Sequence, residues 1–205
     1  MTDFFHLSTR STETCIPDRD WHEDAKGEIL CSLCGSPRVP LENVDMHLAE
    51  WPQQASLTAV FGARVGIIKD DLIQMLGHDA IGRCLEIGQL KTSRGEKLSG
   101  YSSFRGKELA LIRGNDTSIC RHCDECGAFI YFPMGREYLV ADCLPQAPLC
   151  ESPIIQLVIN DQLRGRLDIK QLKKVHLAKI SLAGSPSDHH DVRRCQGGFK
   201  LREDS

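Results

Sequence analysis

Two short apolar stretches in this chain share one design. From Ala59 to Ile68 the sequence AVFGARVGII is β-branched and apolar, broken by glycines, and predicts a buried strand or a hairpin arm. A short helix is expected directly after it: Asp70 or Asp71 can cap, Leu72, Ile73 and Leu76 share one side, and Gly77 can stop it. The second stretch, Ser152 to Ile159 (SPIIQLVI), predicts another strand, followed by Asn160 or Asp161 as a cap and by Leu163 and Leu167 four apart.

The two stretches keep step. Asp70 and Asp161, Leu72 and Leu163, and Leu76 and Leu167 are each 91 residues apart, and Cys34 and Cys126 are 92 apart. This spacing predicts a degenerate internal duplication, an α+β fold of two halves, about 20–90 and 110–182, each a knuckle, a variable stretch, a strand and a short helix. Both halves are expected to lie in one domain, residues 1–182. The first thirty residues read as a loosely structured lead with Phe4, Phe5 and Leu7 as a short edge strand, and 91–107 as an exposed loop. The polar end, 183–205, reads as a mobile tail.

With 205 residues, 41% hydrophobic and 26% charged, the chain can bury a core without disulfides, and neither disorder nor a fibrous class is indicated. It has no apolar run of membrane-spanning length and no leader pattern, so a cytoplasmic location is expected, where ten cysteines are metal or redox candidates before they are disulfides. The net charge of −3 is unevenly spread: 1–50 hold ten acidic against four basic residues, and 164–202 hold ten Lys or Arg against three Asp.

The cysteine pattern is the sharpest chemical signal. Cys31-Ser-Leu-Cys34-Gly35 and Cys123-Asp-Glu-Cys126-Gly127 are two CxxCG knuckles, in which paired thiolates converge on one ion and the glycine permits the tight turn. Cys31, Cys34, Cys123 and Cys126 are therefore expected to bind one structural Zn²⁺, although iron in a rubredoxin-like site uses the same four sulfurs. Cys120 and His122 overlap the second knuckle and are alternative ligands; Cys123 with Cys126 is preferred because only that pair repeats the first knuckle. The 88 residues between Cys34 and Cys123 imply a clamp between distant segments. Cys15, Cys84, Cys143, Cys150 and Cys195 share no spacing and read as ordinary buried or exposed residues.

No catalytic constellation accompanies the knuckles. Trp21-His22-Glu23 lacks the His-x-Glu spacing of a zinc deaminase, and phosphate-loop, nucleophile-elbow and zinc-protease patterns are missing. His189 and His190 sit in the polar tail and read as a solvated pair. A zinc ribbon with a basic C-terminal segment makes a nucleic-acid-associated protein the alternative reading, but aromatics are only 6% of residues and do not interleave with Lys or Arg.

With Trp21 ten residues before the first knuckle and a strand and helix over Ile154–Leu167, the chain resembles the double-CxxCG motif family of bacteria, known from myxobacterial paralogues. The resemblance spans residues 20–182 and its sharp motifs are the two knuckles. It implies a non-catalytic protein-binding role, as an immunity protein that neutralises a cognate toxin. The acidic cluster Asp18, Asp20, Glu23 and Asp24 is then a reasonable surface for a basic toxin. The more basic C-terminal part and its histidines depart from the family's pattern.

Overall fold

A computed structural model describes residues 2–9, 15–114, 119–132, 137–141, 144–152 and 154–183. The first half of the chain forms β1 (Phe4–Thr9), β2 (Ile16–Pro17), α1 (Arg19–Ala25), β3 (Asp45–Glu50), β4 (Leu57–Ala59), β5 (Gly66–Lys69), α2 (Asp70–Leu76), α3 (His78–Cys84), β6 (Leu85–Thr92) and β7 (Tyr101–Gly106). The second half forms β8 (Ile112–Gly114), β9 (Ile119–His122), β10 (Phe129–Phe132), β11 (Glu137–Val140), β12 (Leu149–Glu151), β13 (Leu157–Asn160), α4 (Asp161–Arg164), β14 (Val175–Lys179) and β15 (Ser181–Ala183). The fold is α+β and rich in strands.

A six-stranded sheet of order β2-β3-β6-β7-β5-β4 carries most of the first half, and a four-stranded sheet of order β12-β13-β1-β14 joins the first strand to strands of the second half. A three-stranded sheet (β15-β11-β8) and the β9–β10 hairpin complete the set. No helix among the described residues is long and apolar enough to cross a membrane.

The hairpin expected at Ala59–Ile68 is present: β4 and β5 pair antiparallel from Leu57↔Ile68 to Ala59↔Gly66. Gly66 lies under Phe104 of β7, where a Cβ would collide with the fully buried ring, so the glycine is what lets the aromatic lie flat on the sheet. Strand β5 runs directly into α2, which buries Leu72, Ile73 and Leu76 and stops at Gly77 with φ +90°. Its N-cap is Lys69 rather than Asp70 or Asp71, both of which lie in the first turn, where their charge favours the helix dipole.

In the second half β13 runs directly into α4, and the side chain of Asn160 accepts the N–H of Leu163 at 3.0 Å as an N-cap. Leu157, Ile159, Leu163 and Leu167 share one core with Ile68, Leu72, Ile73 and Leu76. The expected single strand over Ser152–Ile159 is instead broken by a turn. The N–H of Ser152 donates to the Gln156 carbonyl at 2.7 Å, and β12 and β13 flank the turn as a hairpin.

Three sequence expectations need correction. Strand β1 is not an edge: it is paired with β13 on one side (Phe5↔Ile159) and β14 on the other (Phe5↔Lys179). The lead is not loose after Cys15, because Asp18 caps α1 by accepting the N–H of Trp21 at 3.1 Å and Ala25 is buried beneath it. Residues 91–107 are not an open loop; β7 occupies 101–106 and pairs with β6 from Leu85↔Gly106 to Gly88↔Ser103. Residues 184–205 lie outside the described residues, as do Cys143, His189, His190 and Cys195.

Candidate metal centre

Each knuckle is closed by its own backbone, and in the same way. In the first, the Gly35 N–H donates to the Cys31 carbonyl at 2.9 Å and the Cys31 N–H to the Ser36 carbonyl at 2.9 Å. In the second, the Gly127 N–H donates to the Cys123 carbonyl at 2.8 Å and the Cys123 N–H to the Ala128 carbonyl at 2.9 Å. Gly35 and Gly127 adopt φ +70° and +69°, the left-handed region a side chain avoids. The strands β9 and β10 hold the second knuckle between them, with Phe129↔His122 as the last pair before it.

These two turns bring four sulfurs together, all within 4.8 Å of one another. Cys31 Sγ lies 3.5 Å from Cys123 Sγ, and Cys34 Sγ lies 3.6 Å from Cys126 Sγ. A disulfide would need about 2.05 Å. A tetrahedron of thiolates at about 2.3 Å from a central zinc has edges of about 3.8 Å, so these two separations are compatible with ligands around one ion. Cys31 and Cys123 are buried against Ile130, while Cys34 and Cys126 are half-buried.

The chemistry of the donor set also fits a cation. Burial, reinforced by the neighbouring sulfurs, pushes the Cys126 thiol up to about 12, and burial raises that of Cys34. Cys123 moves the other way, to about 7, because the backbone N–H groups of Cys126 and Glu125 point at its sulfur. Crowded thiolates repel one another, and a bound dication would supply the compensating charge. The group can hold a metal ion such as zinc.

Polar contacts tie the knuckles together outside the sulfurs. Glu125 of the second knuckle accepts from Ser32 of the first and pairs with Arg38, and these partners hold its carboxyl below the usual range. A cavity of about 340 Å³ opens beside them, lined by Pro37, Arg38, Glu125, Cys126 and Ala128. His122 is not among the clustered donors; its Nδ1 lies 2.8 Å from the Gly127 carbonyl oxygen. Of Cys120, only the backbone on β9 is described.

The other sequence candidates are dispersed. Cys15, Cys84 and Cys150 are buried, and burial pushes the Cys15 thiol up to about 12 and raises that of Cys150. On α1, Glu23 pairs with Lys26 at 2.8 Å, His22 lies against Gly62, and Trp21 stacks on His47 with ring centroids 6.4 Å apart. One charged group escaped the sequence reading. Glu151 of β12 is buried, its Oε2 accepts the Gly106 N–H at 2.7 Å, and burial pushes its carboxyl up to about 7.

No protein-family model matches the chain, and comparison with characterised proteins finds no relative.

Proposed function

We propose that this protein is a non-catalytic, cytoplasmic protein-binding factor braced by one structural zinc ion, and that it acts as an immunity protein against a cognate bacterial toxin. The observation that carries the structural part is the cluster of four sulfurs within 4.8 Å of one another, because four thiolate ligands on one zinc ion leave no coordination position for water or substrate. The immunity role rests on the resemblance to double-CxxCG proteins. The matching backbone of the two knuckles, and the strand running directly into a helix in each half, support a duplicated ancestor.

The acidic helix α1 favours a basic partner, as a nuclease toxin would be. Its contributors are not alike. Asp20 and Asp24 are exposed, Asp20 in the first turn of the helix, whereas Asp18 is the helix cap and Glu23 is engaged by Lys26.

Two measurements test the proposal. Protein purified without added zinc should carry about one zinc per chain; a monoiron centre in its place would keep the clamp and change its metal. A toxin encoded beside the gene should be captured by the purified protein and lose activity. Salt-sensitive nucleic-acid binding, with no toxin captured, would favour the ribbon-type alternative.

A further inference from the structure

Two large apolar side chains stand out in water among the described residues, Leu33 at 68% exposure and Phe61 at 75%. Their loops touch. Leu33 is inside the first knuckle, and a Cβ on Gly35 would collide with the Gly62 carbonyl of the β4–β5 turn. The Arg64 N–H donates to the Gly35 carbonyl at 3.0 Å. Gly62 in turn faces the imidazole of His22, 3.7 Å from where its own Cβ would stand, so α1 adjoins the same place.

Neither side chain is exposed because its loop is loose. The Phe61 N–H donates to the Cys15 carbonyl at 2.9 Å and Val60 to Val65 at 3.0 Å, while Leu33 is held inside the closed knuckle. Leaving a leucine and a phenylalanine in water forgoes the stabilisation that burying them would bring. An apolar pair on a rigid support is the form that binding anchors take.

The surroundings set the partner's charge. The segment from Asp18 to Glu28 has five acidic residues against Arg19 and Lys26, and Lys26 is taken up by Glu23. Asp124 adds an exposed carboxylate from the second knuckle. Such a rim repels phosphate-bearing partners and attracts cationic ones. We propose that Leu33 and Phe61 are the apolar anchors of a docking surface for a basic protein, rimmed by α1 and the second knuckle. This rests on the protein-binding reading and gives it a location: the metal clamp sets the knuckle that presents Leu33.

The zinc-loaded full chain, labelled for NMR, can be titrated with a short synthetic peptide of alternating leucine and lysine. Saturable shifts should centre on residues 31–35, 60–64 and α1, and the combined Leu33→Ser and Phe61→Ser changes should weaken binding by about tenfold or more. Both positions are exposed, so the variant should keep the wild-type Tm. Shifts centred elsewhere, absent shifts, or undiminished binding by the variant would overturn the surface. The cognate toxin separates this from the broader reading. If it binds the double variant as tightly as wild type, the surface is wrong and protein binding stands. If no toxin is bound while the peptide still maps here, the immunity reading fails and the surface stands.

Discussion

Gly35 and Gly127 share one backbone conformation, φ +70° against +69°, yet only Gly35 has a neighbouring carbonyl, that of Gly62, pressed into the space a side chain would need. Gly127 has nothing within 4 Å. Alanine at Gly127 should therefore cost only the left-handed backbone penalty, about 1–2 kcal/mol. Alanine at Gly35 adds a clash against backbone, worth roughly 1–3 kcal/mol more. Denaturant melts of the two variants check the ordering, and equal losses would mean that the β4–β5 turn yields freely.

The clamp itself is open to removal. Cys126→Ser should release the metal and lower Tm, as should a strong chelator on the wild type, because ion binding and folding are linked. Cys195→Ser should do neither. Metal content and melting unchanged in Cys126→Ser would shift the ligand assignment towards Cys120 or His122.

Charge on α1 can be altered without breaking it only at selected positions. Asp18→Ala removes the cap on Trp21 and should cost about 1 kcal/mol. Asp20→Lys with Asp24→Lys should cost no more than about 1 kcal/mol, because Asp20 sits in the first turn where its charge favours the dipole, and should slow association with a basic toxin at low salt, the difference shrinking as salt rises. Association at the wild-type rate in low salt would place the partner elsewhere.

Glu151 makes stability depend on pH in an unusual direction. Its folded pKa of about 7 lies above its ordinary 4.5, so between those values the native state binds more protons than the unfolded chain. The contribution of Glu151 to stability is then greatest below about 4.5 and is lost as pH rises through about 7. The shift corresponds to about 3 kcal/mol. Glu151→Gln keeps an acceptor for the Gly106 N–H and removes the titration. The difference in unfolding free energy between wild type and Glu151→Gln should change with pH across that window, and a constant difference would contradict the buried charge. Comparing the two proteins cancels any pH effect on the cysteine cluster they share.

What could be read from the sequence was what neighbours in the chain decide. The knuckles are local rings closed by i to i+4 backbone bonds, so CxxCG spacing suffices to place them, and α2 shows itself through Leu72, Ile73 and Leu76. Strand β7 stayed hidden because YSSFRG offers one large buried residue, Phe104, amid polar neighbours, and its strand character comes from β5 and β6 on either side. Helix α1 buries only Ala25 fully, too little for a period. Glu151 gave no signal because its surroundings come from far along the chain, among them Gly106, 45 residues away, whose missing side chain leaves room for it.

The position of β1 between β13 and β14 sets a timetable for synthesis. Its partners extend to Lys179, so a nascent chain emerging at 5–20 residues per second leaves Phe4 and Leu7 without their sheet for on the order of ten to forty seconds. Cys126 emerges well before Lys179. A metal ion such as zinc, if held by the four cysteines, could thus join the knuckles while the first strand is still waiting, and its shortage would leave the waiting strand on a less restrained chain. Exposed apolar strands of that kind are what chaperones bind and what aggregates recruit. With a metal in the cluster, its supply during translation, rather than after it, would bear on how long the first strand stays exposed.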